Sequence, residues 1–500
     1  MNIMNIKRRA INNVRILKNS VSSLLSYGFL LVFSIISSKY VLVSYGSETN
    51  GLLSSVNQLF SYISLLEAGI GTSTISALYK PLSDRNTEGI CDVLSSSRHY
   101  YRSAAKWYLL CVIIVSFIWP LVIESSISYI SICSLILLQG VSCVITFWFT
   151  STAVNYLLAN GRNYINNHVH VTGTLLTYAL KILICVMRMN IVFISVSLIA
   201  VNAITCLAYY LYLKKNCPEY FVRRMPNKSL LKQRSSFLLH EISGVIFSST
   251  DTIIISIFCG LAEASVYAVY ALVMGALRSI IGQVFNGTSY ILGNGYADPD
   301  VYYEAIHDRY NAIYLCAVFA TFTIAYWLIL PFLSLYTAGI TDADYLDNKL
   351  PLLFTMIELL SACRVVDNQL IKLSFHAKQT VVRSMIEAAI NVIVSIAAVQ
   401  FIGIYGVLLG TIAALLYRTN DFIIYANTKI LMRSPKKEYA LVLSNFFVFI
   451  ISAILRGCIQ MEAHSYIQLV GIAIPISAII ALAYAAPNWM INRFIISKIQ

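Results

Sequence analysis

Apolar runs of roughly 20 residues, each long enough to cross about 30 Å of hydrocarbon, recur from Val21 to Ala486 with only short polar gaps between them. Few other features narrow the possible folds as far. Inside a bilayer every backbone N–H and C=O must be satisfied without water, which leaves helices or closed barrels, and runs of this length are helical. Spans are expected near residues 21–45, 51–79, 107–123, 128–158, 169–187, 191–213, 235–258, 264–294, 311–336, 351–375, 381–401, 404–427, 439–458 and 466–486. The expected class is an all-α polytopic membrane protein with about 14 transmembrane helices. Its parts are a six-helix lobe over 1–213, a basic cytoplasmic linker over 214–234, a second six-helix lobe over 235–430, and two additional helices with a tail over 431–500.

Orientation follows from charge. The linker, KKNCPEYFVRRMPNKSLLKQR from Lys214 to Arg234, carries seven Lys/Arg against one Glu and belongs on the cytoplasmic side. With that side fixed, 27 of the 36 Lys/Arg lie in inside segments and both termini are cytoplasmic. Only Arg188, Lys349 and Arg456 fall in or beside outside loops. The net charge of +13 is therefore a positive-inside pattern and not a nucleic-acid face. Charged residues make up 12% of the chain, about half the share of a soluble domain, and 58% is hydrophobic. The N-terminal stretch MNIMNIKRRAINNVRILKN leads into an apolar run too long for a signal peptide core, so an uncleaved first helix is expected. One inside loop breaks the charge pattern: residues 296–309 carry Asp298, Asp300, Glu304 and Asp308 against one Arg.

Eleven cysteines are scattered through mostly apolar segments with no CxxC pair, so neither a disulfide framework nor a metal site is expected. No Walker A motif is present, and no enzymatic signature or cofactor is expected. His168 and His170 lie at a helix end, where a solvated role is expected. Many of the 33 tyrosines flank spans in the manner of an interfacial belt.

The chemistry lies in polar residues within the spans, because a charge near the bilayer centre must face a cavity or a partner. On the eighth span Gly275, Arg278, Gly282, Asn286, Ser289 and Gly293 recur at steps of 3 or 4 and make one small-and-polar stripe. Helix packing would account for the glycines; Arg278 asks for a cavity. On the tenth span Glu358, Ser361, Arg364, Asn368 and Lys372 share a face, with Asp367 one turn from Arg364. Internal Arg364–Asp367 or Glu358–Arg364 ion pairs are the alternative to a ligand role there. Lys181 interrupts the fifth span. The seventh aligns His240, Gly244, Ser248 and Asp251, and the second aligns Asn57, Ser61, Ser64, Glu67, Gly71 and Thr74. Lys39 and Arg418 lie nearer helix ends, where snorkelling is expected. Guanidinium and ammonium groups in one cavity favour an anion, and guanidinium suits phosphate oxygens. Arg278, Arg364, Lys181, Asn286, Asn368 and Lys372 are the substrate-binding candidates, and Glu67, Asp251 and Asp367 the ion-coupling candidates.

Two short turns repeat faintly, Gly46-Ser-Glu-Thr-Asn-Gly-Leu in the first hairpin and Gly260-Leu-Ala-Glu-Ala-Ser-Val-Tyr in the seventh-to-eighth. Six spans per unit make such repeats parallel, and transporters built that way bind substrate between the halves. The stretches Tyr45-Gly-Ser-Glu-Thr-Asn-Gly-Leu, Leu65-Leu-Glu-Ala-Gly-Ile-Gly and Ala77-Leu-Tyr-Lys-Pro-Leu resemble the first hairpin of Wzx-type polysaccharide flippases. Asp251-Thr-Ile-Ile-Ile, Gly260-Leu and Val266-Tyr-Ala-Val-Tyr resemble that family's seventh and eighth helices. The resemblance implies the multidrug/oligosaccharidyl-lipid/polysaccharide exporter fold, with two six-helix lobes around a central cavity and two further helices. It also implies transfer of an undecaprenyl-pyrophosphate-linked oligosaccharide, such as an O-antigen repeat unit, across a bacterial inner membrane. A proton or sodium ion would drive the transfer, with an O-antigen polymerase and a chain-length regulator as partners. A multidrug or cation antiporter of the same superfamily is the first rival. A membrane O-antigen polymerase or ligase is the second, and the short outside loops weigh against it.

Overall fold

A computed structural model describes residues 2–222, 224–231, 234–297, 303–459 and 461–496; within these, the side chains of 2–27, 228–229, 234–241, 286–287, 297, 377, 487 and 489–496 are not described. The described residues are helical throughout, without a strand. In order the helices are α1 (Asn2–Ile63), α2 (Ile70–Ser83), α3 (Thr87–Val122), α4 (Tyr129–Ile145), α5 (Ser151–Ala159), α6 (Asn163–Val186), α7 (Val192–Asn216), α8 (Arg234–Phe258) and α9 (Leu261–Thr288). They continue with α10 (Tyr290–Ala297), α11 (Tyr303–Tyr336), α12 (Leu350–Cys363), α13 (Val365–Leu373), α14 (Val381–Ile402), α15 (Ile404–Tyr425), α16 (Lys436–Cys458) and α17 (Tyr466–Ile496).

Eleven helical stretches among the described residues are long and apolar enough to cross a membrane, and the protein is a multi-pass membrane protein. Three features account for the difference from fourteen. The first two expected spans run together in α1, broken only at Gly46, whose φ of 81° and ψ of 174° lie where a Cβ would be strained. The seventh span is apolar over the shorter stretch Ile242–Phe258. The tenth is cut at Arg364, which leaves two short helices, α12 and α13. Large apolar side chains such as Leu121, Phe401 and Leu482 point outward, as expected where the surrounding solvent is lipid.

The helices fall into two compact units, Phe33–Ala268 and Val269–Gln500 with Met1–Val32; the boundaries lie inside α1 and α9. In the N-terminal unit α3 packs on α4, α4 and α6 pack on α7, and α2 packs on α5. Its larger core gathers Val41, Leu52, Val56, Tyr108, Val112 and Leu135, with Tyr108 edge-on to Phe147 at 4.9 Å. In the C-terminal unit α14 and α15 form the tightest pair. A Cβ at Gly406 would lie 2.4 Å from the Ala398 backbone, and one at Gly410 would lie 2.2 Å from Ser395 Oγ, so both glycines are required by the approach. Helix α11 is the hub of that unit, touching α12, α16 and α17.

Two five-residue π-helical turns interrupt the regular hydrogen bonding, Thr146–Thr150 between α4 and α5 and Ala426–Ile430 after α15. Such turns are frequent at functional sites. Each presents a side chain, Trp148 in the first and Asn427 in the second, to a cluster of charged groups.

The basic linker is seated on the N-terminal unit. Arg98 on α3 donates to the carbonyls of Tyr220 (2.9 Å) and Val222 (3.2 Å) and stacks over the Tyr220 ring at 5.2 Å. The Tyr156 hydroxyl donates to Glu219 at 2.5 Å. Backbone amides of Arg224 and Asn227 donate to Ser95 and Ser96. Burial at this contact pushes the Tyr220 phenol up to about 12 and raises the Cys217 thiol.

Candidate functional site

Charged residues inside the C-terminal unit form three separate clusters, each joining helices far apart in sequence. The first pairs α9 with α12. Arg278 donates Nε to Glu358 Oε2 at 2.8 Å and Nη2 to Glu358 Oε1, a two-pronged contact. The Glu358 side chain is buried at 3% exposure, whereas that of Arg278 is 62% exposed, so the guanidinium caps a buried carboxylate. Beside it, a Cβ built at Gly275 or Gly282 meets nothing within 4 Å. The α9 stripe thus borders open space at these two positions among the described residues, and Asn286 in the same stripe lies outside the described side chains.

The second cluster centres on the break at Arg364, where φ and ψ of −101° and −6° separate α12 from α13. Arg364 reaches Glu387 on α14 through Nη1. Glu387 also faces Arg418 Nε on α15 at 3.4 Å. Arg418 continues to Asp421 (2.5 Å) and donates to Ser384 (2.9 Å), and Asp421 in turn accepts from Arg383. Charges alternate along this chain of three guanidiniums and two carboxylates, leaving one positive charge in excess. Arg418 is 2% exposed and lies 4.0 Å over the Phe422 ring. The expected snorkelling of Arg418 is therefore corrected: acids on two helices neutralise it in the interior. The Arg364–Asp367 and Glu358–Arg364 pairs, the alternative to a ligand role, are not among the ion pairs of the described residues. Glu358 pairs with Arg278, Arg364 with Glu387, and Asp367 lies beside His307.

The third cluster was not legible as a site. His307 on α11 is fully buried, with Nε2 3.3 Å from Asp367 Oδ1 and Nδ1 3.7 Å from Asp308 Oδ1. Neither ring nitrogen and neither Asp367 oxygen makes a well-aligned hydrogen bond among the described residues. Asp308 receives both prongs of Arg433 (2.6 and 3.0 Å) and Lys437 Nζ at 3.2 Å. Buried Glu438 accepts from Asn311 at 2.7 Å and from Asn427 at 2.6 Å. Arg433 lies between spans. Burial would lower its pKa, but the hydrogen bonds and charge of Asp308 leave it above the ordinary value. The opposite signs of the 296–309 and 431–438 segments, placed on one side by the topology, were the signal for this contact. Asp308 belongs to α11 and not to a loop; Asp298 and Asp300 lie outside the described residues.

The remaining candidates are dispersed. Asn368 is half-buried and Lys372 exposed on α13. In the N-terminal unit Lys181 is half-buried on α6. Buried Asp251 on α8 accepts from Tyr267 at 3.1 Å, while the neighbouring Thr250 bonds Tyr62 of α1. Glu67 ends the 3-10 turn Ser64–Glu67 and is half-buried. Among the described residues no group of three His, Cys, Asp or Glu has the geometry of a metal site.

No family model and no curated protein matches the sequence. Solved structures do match the backbone. An inward-facing multidrug resistance MATE family transporter of the MOP superfamily superposes with a TM-score of 0.69 at 14% identity, over 82% of this chain and 96% of its own. The lipid II flippase MurJ, in an inward closed conformation, gives a TM-score of 0.65 at 12% identity, over 94% of this chain and 99% of its own. The chain has the MATE/MurJ-like transporter fold. A MOP superfamily transporter from Pyrococcus furiosus shares it at a TM-score of 0.60 and 14% identity, over 83% of this chain and 95% of its own.

Proposed function

We propose that this protein is a flippase that moves an undecaprenyl-pyrophosphate-linked oligosaccharide, of the O-antigen repeat type, from the cytoplasmic to the periplasmic leaflet of a bacterial inner membrane. The observation that carries this reading is the likeness to a lipid II flippase over 94% of the chain, against 82% and 83% for the two MOP transporters. The chain's own chemistry supports it. Arg278, exposed over most of its side chain, can exchange Glu358 for a phosphate oxygen and keep a charge-assisted partner throughout. Arg364, Lys181, Asn286, Asn368 and Lys372 supply further cationic and amide donors to the pyrophosphate and glycan. The two lobes, 1–213 and 235–430, alternate their access around the cargo while its lipid tail stays in the bilayer. Protonation or sodium binding at Asp367, Asp251 or Glu67 drives the cycle. An O-antigen polymerase and a chain-length regulator act on the product.

A second reading has its own observation. Arg278 and Arg364 are both neutralised by carboxylates, which suits a cation or drug antiporter better than an unpaired cationic cavity would. Removal of the protein from its cell separates the two. A lipid-linked oligosaccharide should accumulate on the cytoplasmic leaflet; unchanged surface polysaccharide together with raised sensitivity to cationic drugs would instead select the antiporter. Cytoplasmic termini and linker are tested by labelling Met225→Cys, at a position 91% exposed, in a background lacking the exposed Cys458. Reaction from the periplasmic side alone would reverse the topology.

A further inference from the structure

At the polar end of α3 a pocket of about 480 Å³ is lined by Arg98, Arg102, Lys106, Arg224, His99 and Trp148, with smaller residues between them. Among the described residues no acidic side chain lines it. Arg98, Arg102 and Lys106 follow one another at steps of four, so α3 presents three cations on one face. Clustered like charges repel unless something opposes them, and the structure opposes only part of this charge. Arg224 is held by Glu88 at 2.7 Å and Asp92 at 3.6 Å on its outer side. Arg98 spends its guanidinium on the linker carbonyls. Arg102 stacks 5.5 Å over Trp148 on the π-helical turn, and its Nε is buried without a hydrogen-bond acceptor. Lys106 is exposed, and neither it nor Arg102 has an ion pair among the described residues.

The level of the pocket along α3 narrows the chemistry of its occupant. From Trp107 onward α3 exposes Leu110, Ile113, Ile114, Phe117, Ile118 and Leu121, an apolar face suited to acyl chains. The cations stop where that face begins, and Trp107 marks the boundary in the manner of an interfacial aromatic. A group seated there sits at the depth of lipid phosphates. A buried guanidinium N–H lacking an acceptor, an exposed ammonium on the next turn and an aromatic ring under the guanidinium together match tetrahedral phosphate oxygens.

We infer that the α3–linker pocket binds a phosphate- or pyrophosphate-bearing anion, with Arg102 and Lys106 as its principal contacts and Arg98 and Arg224 setting the pocket's field. The site is independent of the transport reading, since binding is measured without turnover. The shared chemistry has two sources, an anionic lipid headgroup or a soluble pyrophosphate.

The purified full chain is placed in nanodiscs of phosphatidylcholine alone and of phosphatidylcholine with phosphatidylglycerol, and each is titrated with inorganic pyrophosphate. Binding is read from the intrinsic fluorescence of Trp148, assigned by its loss in Trp148→Phe, and from retention of phosphatidylglycerol on transfer to detergent. The lipid source predicts selective retention of phosphatidylglycerol; the soluble source predicts saturable pyrophosphate binding in phosphatidylcholine discs. Either result supports the site if Arg102→Gln with Lys106→Gln weakens it by roughly ten- to a hundredfold, at a salt dependence lower than wild type. Arg102→Lys should fall between. Lys106→Gln alone alters only an exposed side chain and guards against misfolding of the double variant. Pyrophosphate binding and lipid retention that are both absent, or both unchanged in Lys106→Gln and in the double variant, would overturn the inference.

Discussion

The carboxylate-paired arginines of one unit and the α3 arginines of the other are held in different ways. In Val269–Gln500 the guanidiniums Arg364, Arg383, Arg418 and Arg433 each meet a carboxylate on a separate element, while half-buried Arg456 donates to the Ile459 carbonyl. At the α3 end of Phe33–Ala268, Arg98 reaches backbone carbonyls and the Tyr220 ring, and Arg102 stacks over Trp148. Carboxylate pairing fixes helices to one another and leaves little net charge. Carbonyl and ring pairing fixes the side chain and leaves its charge in place. The first arrangement suits a scaffold whose ties can be exchanged, the second a surface that attracts anions.

The sharpest way to break this contrast is to remove a guanidinium from the middle of a carboxylate chain. Arg418→Leu removes the contacts to Glu387 and Asp421 in a region closed to solvent, leaving the first with Arg364 and the second with Arg383, and hydrogen bonds to charged groups are each worth roughly 1.5–3 kcal/mol. Thermal unfolding in detergent should show a correspondingly large drop. A change within about 0.5 kcal/mol, the range of an ordinary surface substitution, would mean that the chain of charges does not tie α14 to α15.

Arg278 comes next, because its pair is half open. If it exchanges Glu358 for a phosphate oxygen, Arg278→Ala should weaken cargo binding by about one to two decades, each charge-assisted contact contributing roughly 1.5–3 kcal/mol. Arg278→Lys keeps the charge without the planar fork and should be intermediate. The informative variant is Arg278→Ala combined with Glu358→Gln. Recovery of transport in the double variant at normal protein level would reduce Arg278 to a counter-ion for Glu358.

A smaller effect is expected at the third cluster. His307, Asp367 and Glu438 are all closed off from solvent. Asp367→Asn should lower transport by on the order of tenfold, about 1.4 kcal/mol, and flatten its dependence on an imposed pH gradient. Asp251→Asn and Glu67→Gln, in the other unit, are the comparison arms. A wild-type pH response in Asp367→Asn, with its loss in Asp251→Asn, would transfer the coupling role to Asp251.

How far the sequence carried this far depended on the range of each interaction. Span lengths and order are local properties of hydropathy, and they located nearly every helix. Gly46 and Arg364 blurred two boundaries because a single residue's backbone angles do not register in a window of about twenty. The polar stripe on α9 was visible because it repeats at helical spacing. Its partner was not: Glu358 lies 80 positions from Arg278, and Asp308 lies 125 from Arg433. Nothing in one sequence says which of several intramembrane acids will face which base. His307 was missed for a related reason. It sits near a boundary between a charged segment and an apolar run, where a solvated histidine and a buried one look alike.

The smallest expected effect returns to the N-terminal unit and sharpens the contrast from its other side. Arg98 contributes two hydrogen bonds to linker carbonyls and one to Leu94, together with its contact over the Tyr220 ring. These contacts are partly solvent-exposed, and their loss leaves carbonyl oxygens that water can reach. Arg98→Gln should therefore lower global stability by about 1 kcal/mol or less, the scale of an ordinary net hydrogen bond. Its effect should be local: faster amide exchange at Tyr220 and Val222, and faster proteolysis near the exposed Met225. Arg98→Lys cannot bridge two carbonyls with a planar fork and should behave like the glutamine variant despite its charge. If Lys instead restores full protection, the linker is held by charge and not by the geometry of the guanidinium, and the distinction between the two units loses its physical basis.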